Sequence, residues 1–425
     1  MASYYENGDQ EESEISDVDS DYLELNAETA KLDASIEAFR AEQRIGNGEE
    51  GAAAAATAVQ AKPGRKRGKR GPRKAAKPSP DILYRLSLAT EAYHERRYQD
   101  AHEMLAEIIR INAETFDAWT LLSTVFEEQG DRRAALMCTV AAAHLTPKVA
   151  RMWINAAIYA LDGVDGLEDD SDERNGLLQT AMQCYSAAVR ANPADVTART
   201  GKADVLMSLG HAGLAVTQYR RALKHRPLNI RTVRNLADAA LDAKDPRQSS
   251  AAAKEAYRNV IDHCQARGTT ELEEGDFEWS DLRIYLEFFA MGEEWGDAAR
   301  ELKEIARWML GRRGEACWEE WVHDDREWDV NDDRRISVPG YEPGRFPLET
   351  YGTGLPVDLR ARLCMYRLRL GQEHEAMVSK PRSAPHKLPI YILLTFANPR
   401  SLLATSNVAR SCRQPTPRHP GLREI

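Results

Sequence analysis

The chain is predicted to be all-α: a superhelical solenoid of paired helices preceded by a charged tail. Three observations predict this. The first is a rhythm of 34 residues, in which Phe116–Val149 lies over Val196–Asn229. Trp119, Leu122, Ser123, Phe126, Gly130, Ala135, Ala142 and Pro147 share their offsets with Arg199, Lys202, Ala203, Leu206, Gly210, Ala215, Ala222 and Pro227. The second is that small residues recur where two helices would cross. The third is a sharp charge asymmetry at the N-terminus, in a stretch without a core-forming pattern.

This spacing is the tetratricopeptide pattern, one antiparallel helix pair per repeat. Ser123 and Ala203 on helix A face Ala135 and Ala215 on helix B, where a larger side chain would hold the helices apart. Gly130 and Gly210 supply the turn within each pair, because glycine takes a positive φ at little cost. Pro147 and Pro227 end helix B, since proline inside a helix costs about 3 kcal/mol. One pair cannot bury its own apolar face, so neighbours stack, and the surface of the stack binds other macromolecules.

Further copies flank these two. Ile82–Thr115 fits through Leu88, Ala89, Tyr98, Ala101, Leu105 and Ile108. Ala150–Asp195 fits through Trp153, Ala156 and Ala157, then Ala181, Tyr185, Ala188 and Pro193. Between these halves lies an insertion, 162–176, read as an acidic surface loop. Ile230–Ala266 fits through Leu236, Ala237, Ala240, Ala253, Tyr257 and Val260, and Trp279–Arg312 through Leu286, Phe289, Trp295, Ala298, Leu302 and Ile305. A seventh helix A, Val357–Leu370, leads into Gly371 and Ala376.

The expected organisation is therefore as follows. Residues 1–61 are a disordered acidic and alanine-rich tail, and 62–79 a basic linker resembling a nuclear import signal. Residues 80–312 hold about six repeats, 313–356 an inter-repeat linker, and 357–376 a partial seventh repeat. Residues 377–425 carry seven prolines and no repeat pattern; they read as an irregular tail from a mis-predicted gene end or an alternative transcript. Over 425 residues the net charge is −10 and 43% of residues are hydrophobic. The six cysteines are scattered, without a Cys-x-x-Cys, as in reduced, packed thiols. No transmembrane run or signal peptide is seen.

Catalytic signatures are missing. The sequence has no phosphate-binding loop, no dinucleotide fingerprint and no His-Glu-x-x-His. Asp329-Val330-Asn331-Asp332-Asp333 starts like a calcium loop but fails, with Arg334 where glycine is needed and Gly340 where a bidentate glutamate is needed. No catalytic, cofactor or metal residue is assigned, and no small-molecule substrate or membrane partner is expected.

Two binding regions are expected. Arg65, Lys66, Arg67, Lys69, Arg70, Arg73 and Lys74 form a cationic run suited to nuclear import or to neutralising DNA phosphates. Arg70-Gly71-Pro72 is close to minor-groove hooks. The second is the groove lined by positions two, five, nine and twelve of each helix A. These include Asp117, Thr120, Thr124 and Glu127, then Thr197, Thr200, Asp204 and Met207, then Arg231, Arg234, Asp238 and Leu241. Leu86 and Thr90 stand where chaperone-binding repeats carry a carboxylate clamp, which disfavours a chaperone adaptor.

Three stretches in order carry a more specific resemblance: Arg70–Lys74 running into the first repeat; Asp324-Asp325-Arg326-Glu327-Trp328-Asp329 with Asp332-Asp333-Arg334-Arg335; and Tyr351-Gly352-Thr353-Gly354-Leu355-Pro356-Val357-Asp358-Leu359-Arg360 with Tyr366-Arg367-Leu368. Together they resemble the tetratricopeptide subunit of the general RNA polymerase III transcription factor TFIIIC, fungal-type and apparently truncated. The resemblance implies a nuclear scaffold on the A-box side of internal promoters. Its implied partners are the other TFIIIC subunits, TFIIIB, which it recruits, RNA polymerase III, and promoter DNA through the complex. The rival classes are a repeat scaffold of another nuclear assembly, for RNA processing or ubiquitin ligation, and the chaperone adaptor.

Overall fold

The computed structural model of the chain describes residues 77–373, apart from 165, 169, 170, 245, 322 and 330. The tail 1–61, nearly all of the basic linker, Ala376 and the region 377–425 lie outside the described residues. The described residues divide into two compact units: 77–263 with 271–276, and 264–270 with 277–373.

The first unit is a tetratricopeptide solenoid. Its helices are α1 Pro80–His94, α2 Tyr98–Ile111, α3 Phe116–Glu128, α4 Arg132–Leu145, α5 Ala150–Asp162, α6 Asp172–Ala191, α7 Val196–Ser208, α8 Ala212–His225, α9 Ile230–Asp242 and α10 Pro246–Arg267, whose last turn belongs to the second unit. Helices pair as α1 with α2, α3 with α4, α5 with α6 and α7 with α8. Each pair packs on the next through α2 and α3, α4 and α5, α6 and α7, and α8 and α9.

The small residues sit at these crossings. Ala89, Ala101, Ala135, Ala157, Ala181, Ala203 and Ala215 are all fully buried. Ser123 is nearly so, and its hydroxyl donates to Ala135 O at 2.9 Å, so this polar residue satisfies itself inside the crossing. Gly201, inside α7, answers to the same pressure. A Cβ there would lie 2.4 Å from the ring of Tyr185, so the position gives up helix propensity to admit the aromatic.

Position four of helix A does a second job. Trp119 Nε1 donates to Ala113 O at 2.8 Å, Trp153 Nε1 to Pro147 O at 3.3 Å, and Arg199 Nε to Pro193 O at 2.7 Å. Each side chain reaches back six residues and ties its helix to the preceding turn. Arginine thus replaces tryptophan at Arg199 because it keeps the N–H, not because it resembles an indole. The turn inside each pair is left-handed at Gly130 (φ 81°), at Gly210 (φ 77°) and also at Arg96 (φ 61°), which is not a glycine.

Two features depart from the sequence reading. The 162–176 insertion is not one loop. Asp162 still belongs to α5, and Asp172–Gly176 forms the first turns of α6, capped by Ser171 Oγ accepting from Arg174 N at 3.2 Å. Asp172 and Glu173 there favour the positive helix end. An antiparallel hairpin, β1 Glu271–Leu272 and β2 Gly275–Asp276, follows α10. Glu273 O accepts from Ile230 N at 3.2 Å, so the hairpin caps the start of α9.

The second unit contains α11 Trp279–Met291, α12 Trp295–Met309, the short α13 Cys317–Glu320 and α14 Val357–Arg369. The stretch 80–312, expected as one array, is thus divided between units, because α12 packs on α14 as well as on α11. Two ion pairs align α14 with α11. Arg283 grips Asp358 through Nε (2.6 Å) and Nη2 (3.0 Å), and Arg362 Nη1 meets Glu287 Oε2 at 3.0 Å.

The segment 313–356 is a packed block rather than a tether. Arg312, fully buried, donates to Glu315 (2.7 Å), Glu327 (3.1 Å) and Thr350 O (2.8 Å). Its guanidinium lies 4.1 Å from the centre of the Tyr351 ring and 5.0 Å from that of Trp328. Glu327, also fully buried, accepts from Arg307 at 3.1 Å as well. Arg367 of α14 forks onto Asp325 at 2.9 and 2.8 Å, and Lys303 of α12 reaches Asp324 O at 2.6 Å and Asp325 at 3.3 Å. Burial lowers the Lys303 pKa, against the charges of Glu327 and Asp325. Gly352 is required by close approach, since a Cβ would lie 2.3 Å from Trp328 O.

Two outcomes follow for stability. Arg96→Gly relieves a left-handed arginine and raises stability by about 0.5–1 kcal/mol; an unchanged or lower thermal midpoint would refute this. Glu327→Ala takes the carboxylate from buried Arg307 and one of two carboxylate partners from Arg312 and costs about 3–5 kcal/mol, read as lost hydrogen-exchange protection in α12 and α14 with α3–α8 unaffected.

Candidate protein-interaction surface

The groove positions lie on α3, α7 and α9 of the first unit. Asp117, Thr120 and Glu127 are exposed on α3, and Thr124 is half-buried. The threonines spend their hydroxyls on their own helices. Thr120 donates to Phe116 O at 3.2 Å, Thr124 to Leu121 O at 2.7 Å and Thr200 to Val196 O at 3.0 Å. What α3 offers a partner is therefore two carboxylates, Asp117 and Glu127, with little hydroxyl donor capacity between them.

The positions on α7 and α9 converge. Asp204 Oδ1 accepts from Tyr219 Oη at 2.5 Å and from Asn235 Nδ2 at 3.3 Å, and the charge of Arg231 acts on the same carboxylate. Asp238 acts on Tyr219 in turn. Asp204 is open to solvent, yet helices on either side crowd its carboxylate. This crowding raises its pKa despite the hydrogen bonds of Tyr219 and Asn235 and the charge of Arg231, which lower it. Burial, then the Asp204 charge, raises the Tyr219 pKa, so its phenol stays a donor. Arg234 is engaged elsewhere: Nη2 donates to Asp276 O at 2.8 Å, at the hairpin.

Sequence reading missed Tyr219 and Asn235. Only the packing of α8 against α7 and α9 shows that the Tyr219 hydroxyl reaches the Asp204 carboxylate. It also missed a groove of about 730 Å³ between α4, α5 and the overhanging start of α6. Leu136, Met137, Tyr159 and Leu177 form its apolar floor, with Glu127, Arg132, Asp162 and Asp172 around it. The overhang exists because α6 has 20 residues where α4 has 14, an excess of about 9 Å at 1.5 Å per residue. The cationic residues Arg65, Lys66, Arg67, Lys69, Arg70, Arg73 and Lys74 lie outside the described residues.

The site holds no reactive thiol arrangement. Cys138 and Cys184 are fully buried, and burial pushes the Cys184 thiol up to about 12, so it is protonated at neutral pH. Among the described residues no group of three or more His, Cys, Asp or Glu is placed to hold a metal ion, and no helix is long and apolar enough to cross a membrane.

The chain is 28% identical over 309 residues to the transcription factor tau subunit sfc4 of Schizosaccharomyces pombe, across 70% of this chain and 29% of the relative. It is 23% identical over 347 residues to the transcription factor tau 131 kDa subunit of Saccharomyces cerevisiae, across 70% of this chain and 32% of the relative. It is 27% identical over 125 residues to the human general transcription factor 3C polypeptide 3, across 29% and 13%. The chain is thus homologous to tetratricopeptide-type TFIIIC subunits over most of its length, while spanning less than a third of theirs. No protein-family model matches it. A tetratricopeptide repeat protein from Parabacteroides merdae is 12% identical across 71% of this chain and 91% of that one, with a TM-score of 0.30.

Tyr219→Phe removes the donor that orients Asp204 and costs about 1 kcal/mol. Denaturant unfolding of the full chain checks this; an unchanged midpoint would show that the hydroxyl contributes nothing to the α7–α8–α9 junction.

Proposed function

We propose that the chain is a scaffold subunit of transcription factor TFIIIC, acting in the nucleus by binding protein partners without a covalent step. The observation that carries this is the similarity to the transcription factor tau subunits over 70% of the chain. In finer detail, the repeat array supports recognition of internal promoters on the A-box side and recruits TFIIIB for RNA polymerase III. The partners are the other TFIIIC subunits, TFIIIB and, through the complex, the polymerase and promoter DNA. The basic run Arg65–Lys74 serves nuclear import or contacts DNA phosphates.

The chemistry of the surface supports binding rather than catalysis. Charged groups of both signs, Asp117, Glu127, Asp204, Arg231 and Asp238, stand on helices held at set spacing. Such a surface selects a partner by charge register and speeds encounter more than it adds raw affinity.

The test is affinity purification of the tagged chain from nuclear extract, with mass spectrometry of the recovered proteins. The other TFIIIC subunits are expected, with TFIIIB components in smaller amount. The double variant Asp204→Lys and Arg231→Glu should lower recovery of at least one of them about tenfold or more, as charge reversal at an interface does. Recovery of splicing, ubiquitin-ligase or chaperone components in place of TFIIIC would overturn the reading.

A further inference from the structure

Among the described residues, the first helix pair leaves one side open. A groove of about 470 Å³ runs between α1 and α2, with Tyr84, Leu88 and Met104 as its apolar part and Asp81, Arg85 and Glu103 at its edges. Asp81 and Arg85 pair with each other at 3.0 Å. Tyr84 is 64% exposed. It occupies position three of its repeat, and at that position Ala118 and Ala198 are 0% and Thr232 5% exposed. Those residues are covered because α3, α7 and α9 each lie against the helix before them. The side of α1 bearing Tyr84 is thus the side on which the architecture elsewhere places a preceding helix. Single exposed apolar residues need no explanation; exposed Tyr84 beside half-buried Leu88 and Met104 in one groove, at a stacking position, does.

The upstream sequence contains a matching segment. Residues 1–79 as a whole lack a core-forming composition, but Tyr22, Leu25, Leu32, Ile36 and Phe39 are separated by three, seven, four and three residues. That spacing places all five on one side of a helix, the seam of a heptad pattern. Between them stand Glu24, Glu28, Lys31, Asp33 and Glu37, and alanines at 27, 30, 34 and 38. These residues lie outside the described residues, so the match is one of sequence to groove.

We propose that the chain's own residues 22–39 are the occupant of the open α1–α2 groove, laying the Tyr22–Phe39 seam over Tyr84, Leu88 and Met104 as a cap for the solenoid's first repeat. Forty residues separate Phe39 from Pro80, and a coil of that length has a root-mean-square span of about 35 Å. That exceeds the roughly 22 Å length of a 15-residue helix such as α1, so the segment can reach any part of the groove. Tethering makes the event intramolecular, at an effective concentration in the millimolar range, so modest intrinsic affinity suffices. A terminal repeat whose stacking face is apolar needs such a cover for solubility.

The experiment uses the full chain in three forms: unaltered, Leu32→Asp with Ile36→Asp, and Tyr84→Ser. Hydrogen exchange is followed by mass spectrometry, and a photo-crosslinking phenylalanine analogue replaces Tyr84 in a parallel sample. In the unaltered chain, amides of 22–39 are expected to exchange at least about tenfold more slowly than in either variant, with the crosslink falling inside 22–39 of the same chain. Tyr84→Ser changes only the exposed groove, so its effect on a segment over forty residues away cannot be a loss of local helix propensity. Equal exchange in all three forms overturns the proposal. So does a crosslink to the apolar stretch 389–396, or one joining two copies of the chain.

Discussion

Two helices can lie close together only where a side chain nearly vanishes between them, and this constraint governs the first unit. Ala89, Ala101, Ala135, Ala157, Ala203 and Ala215 are fully buried at the crossings, and Ser123 is admitted because its hydroxyl finds Ala135 O. Close approach brings the remaining apolar residues of each pair into contact, and the stack then buries them jointly. The orientation of one pair on the next is held by a different device. The donors of Trp119, Trp153 and Arg199 each reach a carbonyl six residues back. They convert a general apolar attraction into a set angle between neighbours, because a hydrogen bond has direction and an apolar contact does not.

The second unit solves its core in another way. Arg312, Arg335, Glu327 and Arg367 are buried charged groups, each joined to a partner of opposite charge. Burying such groups is expensive, and a buried pair seldom adds net stability over an apolar one. What it does supply is exclusivity. Arg367 forks onto Asp325 across 42 residues of sequence, so α14 has one seat relative to the 313–356 block, and any slipped arrangement leaves a charge unanswered. The planar faces of Tyr351 and Trp328 over Arg312 extend the same logic to the aromatic residues.

The surface follows from these scaffolds. Groove residues on α7 and α9 meet because stacking brings successive helix A elements side by side, which is why Asn235 donates to Asp204 and the Arg231 charge acts on the same carboxylate, 27 positions away in sequence. What was legible was the element: helix periodicity assigns Asp117, Thr120, Thr124, Glu127, Thr200, Asp204, Arg231, Arg234 and Asp238 to helix A, where the structure has them. Which of them present free chemistry was not legible. The threonines turn their hydroxyls to their own carbonyls, and Arg234 turns to the β-hairpin. Side-chain partners depend on atoms brought close by tertiary packing, and periodicity carries no information about those.

The sequence by itself determined the repeat unit, its length, the positions of its turns and its all-α character, because local spacing of small, apolar and turn residues dictates each helix pair. It also marked the Trp-Asp and Tyr-Gly-Thr-Gly-Leu-Pro blocks as distinctive, without a physical reason for them. Only the tertiary structure decided that those blocks form one buried ionic and aromatic core, that the array divides into two compact units, and that the end of the acidic insertion, Asp172–Gly176, extends α6. The reason is range. A helix pair is specified by contacts within about one repeat, whereas Arg283 with Asp358, Arg312 with Thr350 and Arg367 with Asp325 join residues 38 to 75 positions apart, and nothing in either partner's own neighbourhood announces the other.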